Sequence, residues 1–393
     1  MSTPAVILAL LGIAWVIAIV WSLAWTRAFR APDGEVHALP SADGWTVFVH
    51  RYRPIGPPRG GPPVVLGHGF TMNRWCWSLS EAGSMPLALS RLGYDVFVAE
   101  YRGSGRGRQP DAPSLYSRRP GGFDGWGFDD HVELDLPAII DGVCAITGEE
   151  EVHWVGHSMG GMLGYAYALS TGGRRLASLT TLGSPTRFAH IVTLFGPTGP
   201  LAWRALHWLH LVRMRPFLFL ALPFAIFAPG VTMRTSGTPE FLNLQERMSL
   251  MCEAFEDTSP ALAAFFIDHW REDRSLVPGG AGPSFADLPV PTLVVAGIQD
   301  RLAPPSAVRV PFDESGGWGE TEEAPVAYRL FGDPELPADV AGPPLGHADL
   351  ISGEMAIQHI VPLLDEWLRG CDLGSVRGLR LHPAALPTPA KAV

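Results

Sequence analysis

The sequence predicts an α/β protein: a mostly parallel sheet with helices on both faces, a helical cap inserted after the sixth strand, and an apolar helix at the N-terminus. Three observations carry this expectation. Val152 to Met162 reads as strand, sharp turn, helix: β-prone Val152, Trp154 and Val155, then Gly156-His157-Ser158-Met159-Gly160, then small residues through Ala166. Apolar runs alternate with helical stretches through short links, and continuously apolar strands belong to a parallel sheet covered on both faces. The alternation stops between Gly183 and about Leu288, an interruption far beyond ordinary loop length and therefore a subdomain.

Taken in order, Ala5 to Trp25 is apolar except for Gly12 and Ser22. That is long enough to cross ~30 Å of hydrocarbon as a helix, and Trp21 and Trp25 fit the interface. Met1 to Pro4 carries no Lys or Arg and no small-residue cleavage site follows, so an uncleaved anchor over residues 1–30 is expected rather than a signal peptide. Arg27 and Arg30 lie just beyond the span, which places that side, and the folded domain, in the cytoplasm.

The first part of the core is expected over residues 31–185. Glu35 to Arg53 fits a β-hairpin turning at Ala42-Asp43-Gly44, with Trp45 to His50 alternating at period two. Val64 to Leu66 is a short buried strand running into Gly67-His68-Gly69-Phe70; Glu81 to Leu92 reads as a helix and Tyr94 to Ala99 as the next strand. Phe128 to Ile146 is helical, with Pro137 in a first turn or at a kink. A strand over Leu176 to Leu182 follows the Ser158 turn and its helix.

The cap is expected over residues 186–288. Within it Leu201 to Ala228 is rich in Leu, Phe, Trp and Ala, but Arg204, Arg213, Arg215, Pro216 and Pro223 argue against a second membrane span. A helix covering an apolar pocket, touching the membrane surface, fits better. The core resumes over residues 289–370 with strands Pro291 to Ala296 and Val326 to Phe331 and an amphipathic helix from about Glu354 to Arg369; residues 371–393 form a Pro- and Ala-rich tail.

Composition narrows the function. Of 393 residues 47% are hydrophobic and 17% charged, which points to a membrane segment or lipid contact, and a net charge of −10 without a Lys/Arg block argues against nucleic acid as a partner. Cys76, Cys144, Cys252 and Cys371 lack C-x-x-C spacing, so neither zinc nor a disulfide framework is expected, and no metal or organic cofactor is called for.

A serine at the apex of a G-x-S-x-G turn is held at a strained backbone conformation that projects its hydroxyl from the sheet edge. Such a nucleophile needs a base, and the base needs an orienting carboxylate. Among the histidines after the last strands, His359 sits inside a helix and His382 in the tail, whereas His347 lies in a glycine-bounded loop that can reach back over the sheet. His157, adjacent to the serine, points elsewhere. Asp300 directly follows the Pro291 to Ala296 strand and is the expected acid, with Asp333 and Asp349 as alternatives; Asp349 fits an Asx-type turn better. The expected oxyanion hole is the N–H of Met159 with that of Phe70, on a loop shaped by His68 and Gly69.

The chain from about Val64 to Gly353 resembles the α/β-hydrolase superfamily, and most closely its acid-lipase-like branch. The residues that carry the likeness are His68-Gly69-Phe70, Phe128 to Ala138 with its Asp135-Leu-Pro-Ala138 piece, Gly156 to Gly160, and Gly346-His-Ala-Asp349. The chain is also similar to polyhydroxyalkanoate-synthase-like proteins, which carry cysteine where this chain has Ser158. The resemblance implies a serine carboxylic ester hydrolase of esterase or lipase type, acting on hydrophobic acyl esters through Ser158, Asp300 and His347. An acyltransferase using the same site and a non-catalytic membrane-tethered binding protein are the rival expectations.

Overall fold

The computed structural model describes residues 3–28, 30–107, 126–187, 240–272, 284–316 and 325–374, with positions 218, 222, 237, 238 and 276. Eight strands form one sheet in the order β1-β2-β4-β3-β5-β6-β7-β8. Strands β1 (Glu35–Pro40) and β2 (Thr46–Tyr52) make the expected antiparallel hairpin, and β2 runs antiparallel to β4 (Val96–Glu100). The others, β3 (Val64–Gly67), β5 (Val152–His157), β6 (Leu176–Leu182), β7 (Thr292–Gly297) and β8 (Val326–Phe331), are parallel to their neighbours.

Period-two alternation puts Val65, Phe97, Trp154 and Val294 into one buried cluster and Val64, Val96, Val155 and Leu293 into another, one on each face. Both faces are covered, which is why these strands are mostly apolar on either side. In a parallel sheet every strand's C-terminal end lies on one edge, so the segments after Gly67, Glu100, His157, Leu182, Gly297 and Phe331 gather there.

The expected helices form with local changes. The one placed at Glu81 to Leu92 begins only at Met85, because Ser84 caps it and Pro86 occupies its first turn. The stretch from Phe128 is an α-turn, a π-turn over His131–Asp135 and then Leu136–Thr147. The widened turn precedes Pro137, whose ring would otherwise strike the carbonyl four residues back. The final helix repeats the device, with a π-turn over Ala356–Ile360 before Pro362 in Val361–Asp372.

Residues Thr3–Ala28 form one helix, α1. Among the described residues no helix is long and apolar enough to cross a membrane. The transmembrane span expected over Ala5 to Trp25 is therefore corrected to a helix docked at one end. Its last turns explain this: Ser22 and Thr26 are buried, and Ile19 and Leu23 pack on Leu222, Met251 and Cys252 of the cap.

The described cap includes helices Leu244–Ser249 and Pro260–Glu272 with a π-turn at Leu250–Ala254 between them. Most of the expected Leu201 to Ala228 helix and the tail beyond 374 lie outside the described residues. All four cysteines are free thiols.

Candidate active site

The turn after β5 is fixed by backbone crowding. Ser158 takes φ 51° and ψ −118°, a conformation L-residues rarely adopt. It is held by its own N–H donating to Leu182 C=O (2.9 Å), while its carbonyl accepts from Gly161 and Met162 N–H (3.1 and 3.2 Å). A Cβ on Gly156 would lie 2.3 Å from Gly160 backbone, and one on Gly160 would lie 2.3 Å from Gly67 O. The strand, the helix and the loop after β3 thus approach too closely for any side chain at 156 or 160.

Across the sheet edge, His347 Nδ1 meets Asp300 Oδ2 at 2.7 Å. Both side chains are buried. The other Asp300 oxygen accepts from Leu302 and Ala303 N–H at 2.9 and 2.7 Å, so the carboxylate is locked in the turn after β7 while it faces the imidazole. A Cβ on Gly183, next to the residue that holds Ser158, would lie 3.0 Å from Asp300 Oδ2 and 3.2 Å from His347 Nδ1. The imidazole–carboxylate pair therefore lies against the elbow.

The alternatives fall elsewhere. Asp349 is buried, and its Oδ2 accepts from Gly346 and Thr238 N–H, both at 2.8 Å, tying the His347 loop to the cap. Burial pushes its carboxyl above the usual range. Asp333 accepts from Glu335 N–H in the turn after β8. His359 lies against Phe331, and His382 is outside the described residues.

His157 does more than its adjacency to Ser158 indicated. Its Nε2–H donates to the backbone carbonyl of His347 (3.1 Å), and the two rings lie 4.5 Å apart. Burial, and after it the neighbouring His347, hold it well below the usual histidine range, so it is neutral. No property of a histidine beside a serine in sequence identifies this contact; only the return of the 347 loop creates it.

On the opposite side, the Phe70 ring packs at a tilt against Phe266 of the cap, with ring centres 4.4 Å apart. His68 Nδ1–H donates to Gly69 C=O (2.9 Å) and Nε2 accepts from Ser104 (3.0 Å); burial lowers its pKa to about 4. Behind this loop a cavity of about 20 Å³, room for a water molecule, is lined by His68, Met72, Tyr101, Trp126, Met159 and Leu262. Beneath it lies a buried cluster that sequence reasoning missed. Asp135 pairs with Arg102 Nε (2.8 Å), accepts from Arg102 N–H (3.1 Å) and meets His131 Nδ1 (2.8 Å). The Asp135-Leu-Pro-Ala138 motif therefore anchors the loop after β4. Among the described residues no His, Cys, Asp or Glu group could hold a metal ion.

An eight-stranded, mostly parallel sheet with a strained serine after β5 and a carboxylate–imidazole pair beside it defines a class, and residues 62–315 match the alpha/beta hydrolase fold family. The chain belongs to the α/β hydrolases. Within the family its sequence is lipase-like. It is similar to triacylglycerol lipase 2 of Arabidopsis thaliana, 30% identical over 173 residues, 41% of this chain and 40% of that protein. It is also similar to gastric triacylglycerol lipase of Bos taurus, 31% identical over 143 residues, 33% and 34% of the two chains. The chain thus spans about a third to two fifths of the curated relatives it matches. A putative lipase from Sulfolobus solfataricus shares the fold, with TM-score 0.57, 15% identity, and 85% and 93% of the two chains covered.

Proposed function

We propose that the protein is a serine carboxylic ester hydrolase of esterase or lipase type. The observation that carries this is the 2.7 Å Asp300–His347 pair packed against the strained Ser158 elbow. In this reading His347 Nε2 removes the Ser158 proton as Oγ attacks the ester carbonyl, and Asp300 holds Nδ1–H and stabilises the imidazolium. The N–H groups of Met159 and Phe70 receive the oxyanion. The imidazolium then protonates the departing alkoxide, and a water deprotonated by the same histidine releases the acid. Similarity to triacylglycerol lipases, and Phe70, Phe265 and Phe266 beside the loop, favour a hydrophobic acyl ester.

The test is hydrolysis of p-nitrophenyl esters from acetate to palmitate by the full chain in non-ionic detergent. Ser158→Ala should lower kcat by roughly 10³-fold or more; turnover that survives it discards the mechanism. Adding an alcohol separates hydrolysis from acyl transfer, since a transferase would divert most product to the new ester.

We also propose that α1 associates with the cell membrane on its cytoplasmic side. Leu10, Ile13, Ile17 and Val20 line its outer face, with Trp21 and Trp25 toward the domain end. Co-sedimentation with phosphatidylcholine vesicles should be lost on Leu10→Glu/Ile17→Glu. Retention by the double variant would refute this surface.

A further inference from the structure

The loop that carries Phe70 is held from outside the sheet. Thr71 sits at φ 56°, an unfavourable region for a β-branched residue. Its carbonyl accepts from Glu256 N–H at 2.7 Å, and Asn73 N–H donates to Ala254 C=O at 2.9 Å. Met72 and Phe255 form an antiparallel bridge. The Asn73 amide donates to Glu253 C=O (2.7 Å) and Glu256 Oε1 (3.0 Å). Residues 253–256 of the cap thus form a one-sided splint along residues 71–73.

The other side of that splint rests on the N-terminal helix. Glu253 Oε1 accepts from Thr26 Oγ1 (3.4 Å), and Oε2 pairs with Arg30. The Glu253 carboxylate is partly buried while Arg30 is exposed, so the pair is open to solvent on the arginine side. The Arg30 guanidinium also lies 4.4 Å from the ring centre of Trp75, in the turn directly after the loop. Thr26 of α1 thus meets the splint at Glu253, and Arg30, two residues beyond the end of α1, reaches the Phe70 loop through Glu253 and through Trp75.

We infer that α1 together with Arg30, just beyond its end, is a positioning element for the oxyanion loop, acting through Glu253, and not only a membrane contact. This rests on the ester-hydrolase reading. When α1 is docked, residues 253–256 keep Thr71 in its strained state and the Phe70 N–H in place. When the Arg30–Glu253 pair is broken, the splint loosens and Thr71 relaxes. A membrane on the outer face of α1 and an ester beside Ser158 then share one mechanical element.

The experiment uses the full chain in non-ionic detergent with p-nitrophenyl acetate, a soluble ester that needs no lipid surface. Wild type, Arg30→Ala, Arg30→Lys and Glu253→Gln are compared, with rates normalised to serine titrated to completion by a fluorophosphonate. Amide hydrogen exchange over residues 69–73 is read on the same samples. Arg30→Ala and Glu253→Gln should lower kcat per titrated site about ten-fold or more, approaching the loss of one oxyanion donor. KM should change little, exchange at 69–73 should rise several-fold, and Arg30→Lys should recover most of both. Unchanged exchange at 69–73 in Arg30→Ala overturns the inference, as does faster exchange with unchanged kcat per site. If wild type itself lacks Ser158-dependent turnover, the hydrolase reading fails instead, and the exchange measurement alone decides whether α1 holds the loop.

Discussion

Asp300 and Asp349 are both buried carboxylates on loops that converge at His347, yet they hold different things. Asp300 Oδ2 faces the imidazole, whereas Asp349 Oδ2 is occupied by two backbone N–H groups. Substitution should therefore separate them. Asp300→Asn should reduce kcat for p-nitrophenyl butyrate roughly 10²–10⁴-fold with little change in KM, because an amide cannot stabilise the imidazolium. Asp349→Ala strands the Gly346 and Thr238 N–H groups and should cost about 2–4 kcal/mol in urea unfolding, with kcat per folded enzyme changed far less. Reversed outcomes would make Asp349 the acid.

At the scale of the element, the elbow illustrates how a motif encodes space and not only chemistry. Gly160→Ala would set a methyl 2.3 Å from Gly67 O, a backbone atom that cannot yield. The expected result is a protein that fails to fold or melts at least 10 °C lower, a shift that for a chain of this size needs several kcal/mol. Gly172→Ala is the control. It lies at φ 67° at the end of the same helix with open space where a methyl would go, so only the backbone term of about 1 kcal/mol applies. Similar melting losses for both would show that the strand–helix approach is not the constraint. The two π-turns before Pro137 and Pro362 belong to this scale too. Helix periodicity located both helices, but the widened turn is a local answer to a proline ring and leaves no periodic trace.

For the whole molecule, the buried neutral histidines set a pH dependence. His68 falls from 6.5 to about 4, and His157 lies well below its ordinary value; burial is the leading cause for both. A depressed histidine pKa favours the native state most above about 6.5, and that contribution is lost as the pH falls through the window down to about 4. Asp33 acts lower down. Burial raises its pKa, but bonds and charge from His50 and Arg74 outweigh that and hold it at about 2, so its contribution fades only below about 3.8. Melting temperature followed by circular dichroism should thus drop between pH 6.5 and 4 and again below 4. His68→Gln should flatten the first limb. An unchanged limb in the variant would assign the dependence to other groups.

The sequence by itself determined the elements and the order in which they occur. Strand and helix periodicities are local, and so are the glycines that permit the Ser158 turn, so the strands and that strained turn were legible from residues a few places apart. Asp300 and His347 were legible as types at strand ends, because a parallel sheet brings those ends to one edge. What only the tertiary structure decided involves partners far apart in the chain: His157 bound to the carbonyl of His347, Asp135 to Arg102, and Glu253 to Thr26 and Arg30. The fate of α1 belongs here as well. Hydropathy registers that a segment is apolar, and the docking of its last turns against the cap settles that part of its surface meets protein. Each of these contacts joins residues whose neighbours in sequence carry no sign of the other, and folding alone brings them within hydrogen-bonding distance.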